Sequence, residues 1–156
     1  MKITFISVGS VKKACVKEGV DEYLRRIRKY SPVESVEVKE ESSSPKTPRE
    51  GILKKEGERI LARLKKGDYV VVLADNGKEF TSFAFSSFIE EFKDSGKKHL
   101  CFITGGAFGL HKDVHESADM VLSLSRMTLP HDLARLVLTE QVYRAFTIMR
   151  NEPYSH

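Results

Sequence analysis

Leu122 to Tyr154 reads LSLSRMTLPHDLARLVLTEQVYRAFTIMRNEPY: a polar turn, a proline and then a long apolar helix in one run. At helical spacing Leu133, Leu136, Val137, Tyr143 and Phe146 form one apolar stripe, and Ala134, Leu138, Val142, Ala145 and Met149 form a second. A helix on the surface of a domain needs only one such stripe. Two stripes predict cover on two sides, one from the chain's own sheet and the other, most simply, from a second subunit. The rest of the chain reads as scaffold for this segment.

Upstream of it, short apolar runs alternate with helical periodicities. Residues 2–8, KITFISV, predict a first strand ended by Gly9 and Ser10. Val16, Val20, Tyr23, Leu24 and Ile27 then predict a helix over 15–30, and the alternation from Val33 to Lys39 a half-exposed strand near a sheet edge. Residues 40–48, EESSSPKTP, hold two prolines and no apolar side chain, which predicts a mobile loop. Thr47, Pro48 and Glu50 have the spacing of a capping box, opening a helix that carries Ile52, Leu53, Ile60, Leu61 and Leu64.

YVVVLA at 69–74 is the most apolar run and predicts a central strand covered on both faces, with Asp75, Asn76 and Gly77 turning the chain. Thr81 or Ser82 can cap a third helix whose Phe85, Phe88, Ile89 and Phe92 fall on one side. HLCFIT at 99–104 predicts another buried strand, followed by a glycine loop, a short helix over 111–117 and a last strand at 120–124. This alternation predicts one α/β domain over 1–156, with a mostly parallel sheet and helices on both faces.

The composition narrows the class. With 156 residues and 40% hydrophobic content, a core can form without disulfides or metal. No run reaches the roughly 20 apolar residues of a membrane span, and the N-terminus reads as a strand rather than a signal peptide. Cys15 and Cys101 follow no metal or redox spacing, which suits free thiols in a reducing cytoplasm. His111 and His115 lack the H-E-x-x-H order and a third ligand, so no metal is expected. The 26 Lys and Arg against 22 Asp and Glu give +4 and a pI near 9.0, a lean toward a polyanionic partner. Lys12, Lys13, Lys17, Arg25, Arg26, Arg28 and Lys29 crowd the first 30 residues, either as a solvated helix face or as an RNA-backbone contact.

Three loops leave apolar strands at their carboxyl ends, where open α/β sheets bind ligands: Leu73 to Gly77, Thr104 to Gly109 and Leu124 to Leu129. Gly105, Gly106 and Gly109 allow backbone to approach a ligand closely, although a tight strand-to-helix turn alone accounts for them. The spacing is not the dinucleotide fingerprint, and no Walker lysine follows.

FITGGAFGL followed by LSLSRMTLPHDLARLVLTEQVYRAFTIMRNEPY resembles the bacterial large-subunit ribosomal RNA pseudouridine N3-methyltransferases, within the trefoil-knotted SPOUT methyltransferases. KITFISVG, EYLRRI, KKEGERIL and VVLADNGKEF extend the likeness over nearly the whole chain. The resemblance implies a SPOUT-like α/β fold with a C-terminal trefoil knot and a homodimer. It implies an S-adenosylmethionine pocket built by the three loops, with methyl transfer to N3 of a pseudouridine in 23S rRNA, on the assembled ribosome in the cytoplasm. By position, Leu73, Gly105, Gly106, Leu124, Ser125, Arg126, Met127, Thr128 and Leu129 would hold the cofactor, mainly through backbone groups and apolar contact with the adenine.

His131 and Arg135, one helical turn apart, would orient the RNA base or a phosphate, or else serve as an interface histidine and an ion-paired arginine. The tail resembles the family's terminal P-Y-H segment, except that Ser155 stands where a histidine usually follows the tyrosine and His156 comes one residue later. Tyr154 would stack on an RNA base or pin the chain end. Arg25, Arg26, Lys29 and His156 are the expected RNA contacts. Two other readings stay open: a non-catalytic ribosome-associated RNA-binding protein and a Rossmann-type nucleotide-binding enzyme.

Overall fold

The computed structural model describes residues 1–43 and 47–154. Ser44 to Lys46 of the expected loop lie outside the described residues, as do Ser155 and His156. In chain order the elements are β1 (Lys2–Val8), α1 (Ala14–Ile27), β2 (Val33–Val38), α2 (Arg49–Leu61), β3 (Tyr69–Glu79), α3 (Ser82–Asp94), β4 (His99–Thr104), α4 (Lys112–Glu116), β5 (Met120–Ser123) and α5 (His131–Met149). The strands form one sheet in the order β2-β1-β4-β3-β5, each neighbouring pair parallel.

Successive side chains of a strand point to opposite faces, and both faces here are covered. Ile3, Phe5, Val71, Leu100 and Phe102 pack with residues of α1, α3 and α5. Ile6, Val8, Val70, Val72 and Ile103 pack on the other side with Ile60 of α2 and Val114 of α4. Double cover explains why β3 and β4 read as nearly continuous apolar runs. β4, rather than β3, takes the middle position. β2 lies at an edge, as its alternation predicts, and there Lys2 bonds Glu34 at 2.6 Å.

Three local expectations change. α2 starts at Arg49, with Pro48 in the capping position and no side-chain cap bond from it, and Glu50 Oε1 lies 3.0 Å from His111 Nε2. The loop after β2 is tied down at its start, because Glu56 accepts from Glu41 N at 2.9 Å and Glu41 also pairs with Arg59. β3 does not simply turn away after Ala74. Leu73 and Lys78 both pair with Leu122, so Ala74 to Gly77 leave the ladder and return to it beside the same residue. A Cβ on Gly77 would stand 2.5 Å from Leu122 C and 2.7 Å from Ser123 N, so only glycine lets the backbones meet.

The two stripes of α5 also find a different explanation. Leu138, Val142, Ala145 and Phe146 are buried against the sheet, which moves Phe146 into the sheet-facing set. Much of the remaining stripe meets the chain's own helix α1. Leu136 sits on Gly19, where a Cβ would lie 2.8 Å from Leu136 Cδ1, and the Tyr143 ring lies 5.9 Å from Tyr23 and 6.1 Å from Tyr30. On the opposite flank Ser86 of α3 donates to the Ala145 carbonyl at 2.9 Å. A helix in the middle of a three-helix layer is apolar on both flanks without any second subunit. Leu133 is the large apolar side chain of α5 left exposed, at 39%. Among the described residues, no helix is long and apolar enough to cross a membrane.

Gly77→Ala should destabilise the chain by about 1–3 kcal/mol, the usual cost of forcing atoms into filled space. A urea midpoint unchanged from the parent would contradict this account of the β3 excursion.

Candidate active site

The carboxyl ends of β3, β4 and β5 border a cleft open to solvent, with about 180 Å³ of water-accessible space. Leu73, Gly105, Gly106, Leu124, Ser125, Met127, Thr128 and Leu129 all line it, together with Ala74, Asp75, Leu110 and His131. The walls are therefore leucine-rich. Among the described residues that line the cleft, Asp75 is the one carboxylate and His131 the one imidazole.

Each wall has a local cause. The glycine loop closes through Gly109 N to Gly106 O at 3.1 Å, with Gly109 at φ +88°. A Cβ on Gly105 would lie 2.5 Å from Gly109 O, so the turn itself demands glycine there. Gly106 differs: its missing Cβ would face Val8 Cγ1 at 3.1 Å and Glu56 Oε2 at 3.8 Å, behind the loop, so bulk there pushes on β1 and α2. In the loop after β5, Ser123 Oγ donates to Ser125 O at 3.1 Å and Ser125 Oγ accepts from Met127 N at 2.9 Å. These bonds fold the loop on itself and leave Met127 77% exposed at the cleft mouth.

Arg126 departs from its expected place. Its side chain is 88% exposed and is held by Glu79, Nε lying 3.1 and 3.2 Å from the two carboxylate oxygens, and it does not line the cleft. The long charged chain keeps its solvation while its neighbours on either side face inward. His131 opens α5 on the cleft wall, its Nε2 3.3 Å from Asp132 Oδ1. That contact is not a well-formed hydrogen bond, for Asp132 Oδ1 and Arg135 Nε are buried without a hydrogen-bond partner.

Arg135 is 6% exposed and points beneath the cleft, donating from Nη1 to Gly9 O at 3.0 Å and from Nη2 to Val8 O. Burial pulls its pKa below the usual arginine value, opposed by Asp132, Glu37 and Glu40. It is a clamp on the end of β1, without contact to the cleft. Tyr154 also lies elsewhere in its own chain, its hydroxyl 3.1 Å from both Tyr23 Oη and Glu140 Oε1, its ring 4.7 Å from that of Tyr143. Arg25 and Arg26 share the Glu22 carboxylate, and Arg26 also lies over the Tyr23 and Tyr143 rings, so much of their charge is answered locally. Lys29 is exposed.

The model of the family described as "Predicted SPOUT methyltransferase" matches residues 1–156. The chain belongs to the SPOUT methyltransferase family. It is similar to the ribosomal RNA large subunit methyltransferase H of Lysinibacillus sphaericus (strain C3-41), at 45% identity over 99% of both chains. It is 46% identical to the protein of the same name from Carboxydothermus hydrogenoformans and 43% identical to that of Enterococcus faecalis, again over 99% of each.

Glu56 is a residue of this region that sequence reading missed. It is buried, and desolvation raises its pKa despite the hydrogen bond from Glu41 N. The signal was present: Ile52, Glu56 and Ile60 stand four apart, a carboxylate in the middle of an apolar stripe.

Replacing Arg135 with methionine leaves the Val8 and Gly9 carbonyls short of donors, and should cost about 2 kcal/mol or more in unfolding free energy. Denaturant unfolding of Arg135→Met at wild-type stability would remove the clamp.

Proposed function

We propose that this chain transfers a methyl group from S-adenosylmethionine to N3 of a pseudouridine in 23S rRNA, acting in the cytoplasm on the ribosome or large subunit. The observation that carries the reading is the convergence of three separate loops on one leucine-walled cleft, in a chain 43–46% identical over nearly its full length to proteins named ribosomal RNA large subunit methyltransferase H. The residues present suit that donor. Leu73, Leu124 and Leu129 would flank the adenine, Asp75 supplies an acceptor for hydroxyl or ammonium groups, and Gly105 and Gly106 line the cleft with backbone.

When bound, the donor supplies a methyl group already activated on a sulfonium. The protein's part is to align N3 behind that methyl, to exclude water, and to accept the N3 proton as the N–CH₃ bond forms. His131 is the basic side chain on the cleft wall, and we assign it the task of receiving or relaying that proton. Arg135 acts through position, by fixing the start of α5 on which His131 stands. A knot and a homodimer belong to the same proposal and rest on the family resemblance, since the chain's own α1 and α3 account for most of the apolar flanks of α5. The contact with RNA is assigned to Arg25, Arg26 and Lys29 of α1 and its end, with Lys29 carrying the charge least answered locally. Tyr154 would join a site only through such an assembly.

Transfer of labelled methyl to unmethylated ribosomes, subunits and free RNA, compared side by side, tests the reading; incorporation into none of them would end it. His131→Ala should lower the transfer rate by about 100-fold or more while leaving donor affinity within a few fold; full activity would shift the proton to another acceptor. Lys29→Glu should weaken RNA binding and flatten its dependence on log salt by about one unit of slope per lost phosphate contact; an unchanged slope would place the RNA on another surface.

A further inference from the structure

At the other end of the sheet, where the strands begin, three potential metal ligands come together that are scattered along the chain. Asp68 immediately precedes β3, and His99 and Cys101 stand at alternate positions of β4, so both project to the face covered by α2 and α4. Cys101 is level with Val70 of β3 on one side and with Thr4 of β1 on the other. Their ligand atoms all lie within 4.8 Å of one another. We propose that Asp68 Oδ, His99 Nδ1 and Cys101 Sγ form a binding site for one divalent zinc-type cation, which staples the amino ends of β1, β4 and β3.

The distances suit a three-ligand site. Cys101 Sγ is 3.5 Å from Asp68 Oδ2 and 3.9 Å from His99 Nδ1, close to the ~3–4 Å separating ligands around a tetrahedral zinc with bonds of about 2.0–2.3 Å. His99 Nδ1 and Asp68 Oδ1 are now hydrogen-bonded at 2.6 Å and need to part only by roughly an ångström. The surroundings hold the ligands in place. Lys65 N donates to Asp68 Oδ2 at 2.8 Å, and Thr4 Oγ1 lies 2.7 Å from His99 Nε2, leaving Nδ1 to face the carboxylate, while Cys101 Sγ lies 3.7 Å from Nε2 and 3.9 Å from Nδ1. A hydrogen-bond partner on the far ring nitrogen is the usual support of a metal-bound imidazole. The fourth position opens past His99, whose side chain is 20% exposed.

The ligand chemistry selects the cation. Thiolate, imidazole and carboxylate together favour zinc over magnesium or calcium, which take oxygen ligands. Binding must release the thiol proton to solvent. The proton on His99 Nδ1, where present, moves to Nε2, which then donates a hydrogen bond to Thr4 Oγ1, or is released to solvent if the ring is charged.

The test uses the full chain, reduced and stripped of metal, titrated with Zn²⁺ and with Co²⁺. One equivalent should bind, Co²⁺ should give a thiolate-to-cobalt charge-transfer band, and Zn²⁺ at about 100 times its Kd should raise Tm by roughly 5–10 °C. Cys101→Ser should abolish the band and weaken Zn²⁺ by about 100-fold or more, whereas Cys15→Ser, altering the exposed thiol of α1, should leave both unchanged. Absence of the band in the wild-type chain overturns the proposal without recourse to any variant, and so does a band lost with Cys15→Ser. Were Cys101→Ser to fail to fold, His99→Asn and the wild-type cobalt spectrum would still decide it.

Discussion

A cation held against two backbone carbonyls fixes how the ends of this chain meet. Arg135, one turn into α5, reaches Val8 and Gly9, 127 and 126 residues away in sequence. A buried charge is costly unless its hydrogen-bonding groups find partners. Here two carbonyls at the end of β1 take Nη1 and Nη2, while among the described residues Nε has no partner and no carboxylate oxygen is hydrogen-bonded to the guanidinium. α5 therefore cannot slide or rotate over the sheet without stranding both the charge and the carbonyls.

The cleft follows from that constraint. With the start of α5 pinned over β1, Pro130 and the loop before it must span from the end of β5 to that point, and this path makes the third wall. Val8 connects this clamp to the glycine loop. Its carbonyl accepts from Arg135, while its side chain lies against the face of Gly106 that also looks toward Glu56 of α2. Two buried ionisable groups, one from each helical layer, thus converge on the same strand end. β3 completes the enclosure: because Gly77 lets its backbone return against Leu122 and Ser123, Ala74 and Asp75 are displaced into the cleft wall.

What the sequence made legible was whatever depends on local period. Strand faces, the Thr81 cap and the apolar helix stripes are set by neighbours a few residues apart, and they stand as the alternation implies. So do the three loops, since a parallel sheet leaves its carboxyl ends on one side. Long-range pairings were not legible in this way. The two stripes of α5 implied cover on two sides but could not say that α1 and α3 provide much of it. Arg135 was grouped with His131 because they share a helix turn, yet the guanidinium reaches under the helix to a strand formed 127 residues earlier. Arg126 followed its loop in the sequence and left it in space, because a solvated ion pair with Glu79 costs less than burying a guanidinium among leucines. His99 and Cys101 are neighbours on one face of β4, but Asp68 joins them only through the pairing of β3 with β4, which no spacing along the chain reveals.

The two polar ends of the sheet also depend on the same strand. β4 begins at His99, in the Asp68–Cys101 cluster, and ends at Thr104, in the cleft wall. Six residues in extended conformation place these ends about 17 Å apart, with Leu100, Phe102 and Ile103 fully buried between them. The pairing of that strand with β1 and β3 is common to both ends. Anything that tightens the amino end of β4 therefore stabilises the platform on which the glycine loop stands while leaving the chemistry of the cleft to its own residues.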